Sequence, residues 1–351
     1  MSKNARPVML HVGIYGDRPG GIAQVVNQYL EWGHGAFEAW GVLSTRGRRD
    51  WAAPFLWVTA GLRLLWARMR YGRSIVLVHL SANGSFIREG SLALLSRFLG
   101  HKVGLHLHGS QFPDFSRRRP GIVKAVCGSA QVVFVLTDES KRILDSTLRG
   151  KRTRLVRLWN AVEVPPDVPT KTKTILFAGE VGHRKGVDVL LAAWDQLIDI
   201  RRDWILILAG PTTADVPLTR FSGPSIRVVG AVPHEEVLVL QSRASIAVLP
   251  SRNEAMPMFL LESMARACAV VATPVGQVEE LVRDAGLLVH VGDSASLADA
   301  LRQYMTSPVL LREAARAARE RVKTKYSADG IRQVLELEWS RLAKEEVHKR
   351  E

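Results

Sequence analysis

Short runs that are apolar at almost every position recur along the chain. They fall at residues 8–12, 75–80, 103–107 and 132–136, and again at 175–178, 205–209, 226–229, 246–249 and 270–272. Continuous rather than alternating apolarity predicts strands buried on both faces, as in a parallel sheet. Between these runs lie longer stretches with helical spacing, and the alternation reads as successive βαβ units. The last stretch, 331–348, spaces Ile331, Val334, Leu335, Leu337 and Leu342 as a helix does. Between the two series of strands, residues 164–173 hold Pro165, Pro166 and Pro169 among polar neighbours, the composition of a linker.

The pattern therefore predicts two doubly wound α/β domains. Residues 1–165 form the first, 166–330 the second, and 331–351 a C-terminal helix that can pack back toward the first. A length of 351 residues agrees with two domains of ordinary size. In sheets of this kind ligands bind at the carboxyl ends of the strands, so two such edges facing each other would make an interdomain cleft. Chemistry is expected in the loops that follow strands.

Two cysteines, Cys127 and Cys268, are too few for a disulfide scaffold or a cysteine-based zinc cage and suit a reducing compartment. The expectation is a cytoplasmic protein, with no secretory pattern at the start and no bilayer-spanning run. Charge changes the picture more. The net charge is +14, and all of the excess lies in the first half. Residues 1–165 hold 24 Lys+Arg against 10 Asp+Glu, whereas the remainder holds 24 of each. Such a basic domain attracts phosphate-rich partners: nucleic acid, anionic lipid headgroups or a pyrophosphate-linked substrate.

Three loops carry candidate chemistry. After the first strand, Gly20-Gly21 precedes a helix-like stretch, where backbone can approach a ligand and a helix N-terminus attracts anions. The spacing is neither GxGxxG nor a Walker loop, so a nicotinamide or P-loop reading is weak. After residues 175–178 comes Gly179-Glu180-Val181-Gly182-His183-Arg184-Lys185-Gly186. Two adjacent cations at a strand–loop–helix junction suit a diphosphate. After residues 246–249, Glu254 precedes a helix whose first turn is expected to contain Pro257 and which runs to about Ala267; Glu262 lies inside it. The amides near Met258 and Phe259 can face a phosphate. Glu262 stands among apolar residues and needs donors. Spacing alone also allows both carboxylates simply to pair with Arg252 and Arg266.

Taken together, these motifs resemble glycosyltransferase family 4. The resemblance rests on Glu254, seven residues, then Glu262, with Ala269-Val270-Val271-Ala272-Thr273-Pro274-Val275-Gly276 after it. Residues 179–186, Gly20-Gly21, Gly286-Leu287-Leu288-Val289 and Gly292-Asp293 add to it. It covers nearly the whole chain and is strongest from Ile175 to Asp293. It implies a GT-B fold, two Rossmann-like domains with the active site between them, and transfer of a hexose-type sugar from a nucleotide sugar with retention at the anomeric carbon. It implies no cofactor and no metal. By the same resemblance Arg184 and Lys185 hold the leaving diphosphate and Glu254 contacts donor sugar hydroxyls. Glu262 binds the ribose, while the amides of Met258 and Phe259 and the loop at Gly20 and Gly21 lie near the phosphates. His108 matches a position near the transferred sugar and the acceptor; His106, two residues earlier, is a weaker candidate. Two positions depart from the family pattern: Ala255 stands where glycine is frequent, and Trp159-Asn160-Ala161-Val162-Glu163 replaces the usual Pro-Asn-Gly-Val-Asp. Neither removes a charged group that the mechanism needs.

In this fold the first domain mostly forms the acceptor side. There, Leu62, Leu65, Trp66 and Met69 repeat at helical spacing among Arg63, Arg68, Arg70 and Arg73. Such a helix can pack its stripe on the sheet or lie in a membrane interface. A saccharide or lipid-linked saccharide acceptor in polysaccharide or glycolipid synthesis is expected, with peripheral attachment to an anionic membrane. The donor can be a UDP-, GDP- or ADP-sugar. Three other readings compete: a nucleic-acid- or membrane-binding protein using basic runs at 46–49, 117–119 and 151–154, a GT-B epimerase or phosphorylase, and a catalytically inactive binding subunit.

Overall fold

The computed structural model describes residues 8–16, 20–32, 38–45, 51–216 and 224–344. Asp17-Arg18-Pro19, the basic run at 46–49 and the end of the C-terminal stretch lie outside them. The chain forms two compact units, residues 1–160 with 331–351, and residues 161–330.

The first unit is built on a six-stranded sheet of β1 (Val8–Gly13), β2 (Glu38–Leu43), β3 (Ile75–Leu80), β4 (Lys102–Leu107), β5 (Val132–Val135) and β6 (Arg154–Arg157). Every pairing is parallel, in the order β2-β1-β3-β4-β5-β6. β1, β3 and β5 are buried along their whole length, which is why they read as unbroken apolar runs. β2 and β6 are the edges. Only Val42 of β2 is buried, and β6 is half-buried with arginine at both ends. Neither has the continuous apolarity that marks an inner strand, and neither was expected.

One face of this sheet packs under the helices Ala53–Tyr71, Asn83–Phe98 and Pro120–Ser129 through an aliphatic core. The other face presents His11, His79, His106 and Phe134 from β1, β3, β4 and β5; the registers put His79 beside His106 and His106 beside Phe134. Tyr29, from the helix Gly21–Trp32, lies against these histidines. Trp339, from the helix Ala328–Lys344, meets Phe134 edge-on at 5.5 Å and is 1% exposed. Arg154 and Arg341 both pair with the buried Glu338 of that helix. Part of the basic run at 151–154 is thus structural.

The second unit holds β7 (Thr172–Ala178), β8 (Ile205–Ala209), β9 (Ile226–Gly230), β10 (Ala244–Leu249), β11 (Ala269–Ala272) and β12 (Leu287–Leu288). The sheet is again wholly parallel, in the order β12-β11-β10-β7-β8-β9. Renumbered from its own first strand this is 3-2-1-4-5-6 read from the β9 edge, the Rossmann order. β7 begins at Thr172, inside the stretch expected to be linker, because Thr172 and Thr174 already pair with β10 and β8. The two-residue β12 is too short to register as a hydrophobic period.

Replacing Trp339 with Ala empties a buried indole site between the last helix and the first sheet. A loss of about 3–5 kcal/mol is expected, as for other buried aromatics. Urea unfolding followed by tryptophan fluorescence measures it.

Candidate active site

Strand order reverses in the second sheet between β7 and β10, which are neighbours although two strands intervene in sequence. The loops at their carboxyl ends are therefore side by side, and these are the two loops that carry Arg184, Lys185 and Glu254. Lys185 Nζ lies 2.5 Å from Glu254 Oε1, with both side chains largely buried. Ser251 Oγ donates to the same oxygen at 2.8 Å. Arg184 is half-exposed, with Nε 3.5 Å from Glu180 and Nη1 3.4 Å from the carbonyl of Asn253. These are long contacts, which leave the guanidinium able to turn toward another anion.

Two glycines make this closeness possible. Gly186 has φ +72°, and a Cβ there would lie 1.9 Å from the carbonyl oxygen of Pro250. Gly276 has φ +58°, and its Cβ would lie 2.1 Å from the carbonyl oxygen of Glu254. Both positions combine a left-handed backbone with direct contact against the Glu254 loop, so only glycine fits. Arg252 clamps the same junction. It makes two 2.8 Å bonds to Asp188 in the first turn of the helix Val187–Asp195 and donates to the carbonyl of His183 at 2.5 Å. Burial would raise the carboxyl of Asp188, but the bonds and charge of Arg252 hold it below its ordinary range.

Arg252 is thus not the partner of Glu254 or Glu262. Glu262 is 5% exposed. It sits 3.2 Å from Nε2 of His234 and accepts from Gln241 Nε2 at 3.4 Å. The guanidinium of Arg266 bonds the backbone carbonyl of Glu262. The sequence reading missed His234 and Gln241, which lie on the helix His234–Arg243; a histidine after Pro233 at a helix start carries no motif, and only the packing of that helix brings it to Glu262. The bond to Glu262 raises the pKa of His234 against the opposing effect of burial.

The helix bearing Glu262 spans Met258–Ala265, with Pro257 as its N-cap and no side-chain cap. The helix starts one residue later and ends two residues earlier than expected: Pro257 stands outside it in extended backbone, and it stops at Ala265, before Ala267 with φ +55°. Met258 and Phe259 are consequently its first two residues, whose amides have no intrahelical acceptor.

In the first unit Gly20 precedes the helix Gly21–Trp32, so Gly21 opens it. His108 follows β4 and donates its backbone N–H to the Leu80 carbonyl at 2.9 Å. Its ring joins a cluster that the sequence did not reveal. His108 Nε2 is 3.0 Å from His79 Nδ1, and His79 Nε2 is 3.1 Å from His11 Nδ1. The His106 and His108 ring centroids are 3.9 Å apart. Burial pushes His108 down to about 3. Burial, then the charges of His108 and His11, hold His106 well below its ordinary value. Both rings are neutral at physiological pH. The period-two spacing of His106 and His108 was visible in the sequence, but their meeting with His11 and His79 depends on strand order.

The helix Ala53–Tyr71 buries Ala60, Leu64 and Ala67. The stripe of Leu62, Leu65, Trp66 and Met69 faces outward instead; Met69 is 79% exposed. Among the described residues no helix is long and apolar enough to cross a membrane.

Residues 172–307 match the family described as glycosyl transferases group 1. Alpha-D-kanosaminyltransferase of Streptomyces kanamyceticus is 26% identical over 300 residues, 75% of this chain and 78% of that protein. The putative teichuronic acid biosynthesis glycosyltransferase TuaC of Bacillus subtilis is 26% identical over 318 residues, 86% of this chain and 79% of that protein. HepE of Anabaena, solved with UDP-glucose, superposes with a TM-score of 0.74 at 15% identity, covering 95% of this chain and 99% of that one. The fold is of the GT-B class. The chain is a glycosyltransferase of that type.

A histidine whose pKa is raised on folding stabilises most where it is charged. The His234–Glu262 contribution is therefore full below the unfolded value near 6.5 and is lost as pH rises through the folded value. The difference in Tm between the wild type and His234→Gln should be largest at mildly acidic pH and shrink toward alkaline pH. Thermal unfolding of both proteins across that range reads it; a constant gap would contradict the assignment.

Proposed function

We propose that this protein is a retaining glycosyltransferase of family 4. It moves a hexose-type sugar from a nucleotide diphosphate sugar to a saccharide or lipid-linked saccharide acceptor in polysaccharide or glycolipid synthesis. The observation that carries this is the meeting of Arg184, Lys185 and Glu254 across two loops at the reversal of the second sheet, beside the open N-terminus of the helix Met258–Ala265.

Each group then has a task. An incoming diphosphate draws Lys185 away from Glu254 and turns Arg184 toward its oxygens. Fixed cations are worth most where charge develops on the leaving group. The amides of Met258 and Phe259 add donors to the same anion, and Gly20 and Gly21, at the start of the helix Gly21–Trp32, are assigned to donor binding. Glu254, with two donors already on Oε1, offers Oε2 to a sugar hydroxyl. Glu262, held by His234 and Gln241, accepts from the ribose. His108, a neutral ring, exchanges hydrogen bonds with sugar or acceptor hydroxyls and carries no charge to the site. The diphosphate charge is met by protein cations, so added Mg²⁺ or Mn²⁺ should leave the initial rate unchanged.

A thermal-shift panel with UDP, GDP, ADP and their sugar conjugates identifies the donor class, because a ligand that binds only the folded state raises Tm. UDP comes first, since HepE was solved with UDP-glucose. The shift should be lost in Glu262→Ala. Arg184→Ala should lower kcat/KM by about a hundredfold or more, the size of losing one strong transition-state contact. Wild-type turnover in that variant would refute the diphosphate assignment, and product NMR reads the anomeric configuration.

The outward stripe of the helix Ala53–Tyr71 continues onto Ile87, Leu94 and Phe98 of the next helix, ringed by exposed Arg63, Arg70, Arg73 and Arg97. Apolar side chains rimmed by cations match an anionic bilayer surface. The protein thus attaches peripherally at the inner face of the cell membrane, where a lipid-linked acceptor would be found. It should float with phosphatidylglycerol vesicles and remain behind with pure phosphatidylcholine, and Met69→Glu with Phe98→Glu should abolish flotation. Equal failure on both vesicles would remove the membrane half of the proposal.

A further inference from the structure

We propose that His79, His106 and His108 form a buried binding site for one divalent first-row metal ion, with zinc the occupant that their chemistry fits. The cluster lies on the face of the first sheet that meets Tyr29 of the helix Gly21–Trp32 and Trp339 of the helix Ala328–Lys344. Each of the three rings offers a nitrogen, and these atoms all lie within 4.8 Å of one another.

The His79–His108 separation is close to that of a ligated pair. Nitrogens bound to one zinc at about 2.0–2.1 Å in tetrahedral geometry stand roughly 3.3 Å apart. His79 Nδ1 and His108 Nε2 are 3.0 Å apart. Paired strands place His79 beside His106, and His108 follows two residues on along the same face. The His106 nitrogen lies within 4.8 Å of the other two and closes on them when the ion binds. Metal-bound histidine almost always uses its other ring nitrogen on an orienting partner. His79 has such a partner, since His11 Nδ1 stands 3.1 Å from His79 Nε2.

Hydrogen bonding alone does not account for the cluster. A chain of histidines satisfies His79 and His108 through each other and through His11. It leaves His106 with neither ring nitrogen bonded, although the residue is fully buried. A buried polar atom left unpaired is destabilising. The Tyr29 hydroxyl, on the ring stacked against His106, is a second buried polar atom without a hydrogen-bond partner. A metal ion gives the His106 ring a bond, and the fourth position, filled by water or hydroxide, gives the Tyr29 hydroxyl a polar neighbour. Imidazole donors without carboxylates favour zinc, copper or nickel over magnesium, calcium or manganese. Such an ion ties β3, β4 and the start of the loop after β4 together, and fixes the ring of His108. It acts as a brace for the first unit, and the site rests on no assignment of the donor or the acceptor.

The test uses the tag-free full chain produced with zinc in the medium and dialysed into metal-free buffer. Elemental analysis should find about one zinc per chain, and X-ray absorption at the zinc edge should find at least three imidazoles at about 2.0 Å. In competition with a chromophoric chelator, His106→Phe should bind zinc at least tenfold more weakly, whereas Glu262→Ala should match the wild type. Wild-type protein without stoichiometric zinc that also fails to take up added zinc or Co²⁺ overturns the proposal. So does zinc held by fewer than three imidazoles, or unchanged affinity in His106→Phe. If that variant does not fold, the absorption spectrum of the wild type decides alone. Loss of nucleotide binding in Glu262→Ala leaves the zinc result untouched, so the two readings fail separately.

Discussion

Parallel pairing of strands buried on both faces is the constraint from which the second unit follows. A strand of this kind has no polar side on which to carry chemistry, so function is displaced to its ends. Where the order reverses, two such ends lie side by side without a crossover between them, and two loops that are far apart in sequence become one surface. Lys185 and Glu254 are 69 residues apart and share a 2.5 Å contact for this reason. The interlocking is tight enough that Gly186 and Gly276 admit no side chain.

The charge distribution follows the same division. The second unit holds 19 Lys+Arg against 20 Asp+Glu, yet its cations and carboxylates are sorted: Arg252 is consumed by Asp188, Lys185 is held in reserve by Glu254, and Arg184 is bound loosely. The largely buried Lys185–Glu254 pair is a stable resting state, because neither charge is left alone in a place of low dielectric. In the first unit the buried carboxylates Glu89 and Glu338 are paired with arginines, and burial keeps His106 and His108 neutral.

Inner strands were legible because nearly every residue of them is buried, and the loops after them were legible because glycines and paired charges follow apolar runs. The edges β2 and β6 were not, since an edge strand loses the continuous apolarity that defines the signal. Arg184, Lys185, Glu254 and Glu262 could be singled out by type and position. Their partners could not: Ser251 and Asn253 are ordinary loop residues, and His234 and Gln241 reach Glu262 only through helix packing. The four-histidine cluster shows the limit most clearly. His11 and His108, the ends of the set with His79 and His106, are 97 positions apart in sequence, and what joins them is that β1, β3 and β4 are adjacent in the sheet. The helix Ala53–Tyr71 shows a different limit: its apolar spacing was correct, but small residues on the opposite side, Ala60 and Ala67, took the buried position with Leu64.

The first unit is discontinuous, and synthesis proceeds from one end. Its sheet is complete by Arg157, but Phe134 receives its cover only when Trp339 emerges, after the whole of the second unit has been made. The unit translated second, contiguous from 161 to 330, is therefore the one that can finish folding first on the ribosome. Until the last helix arrives, the nascent first half carries an uncovered aromatic surface, and chains truncated by a premature stop near the end would retain it.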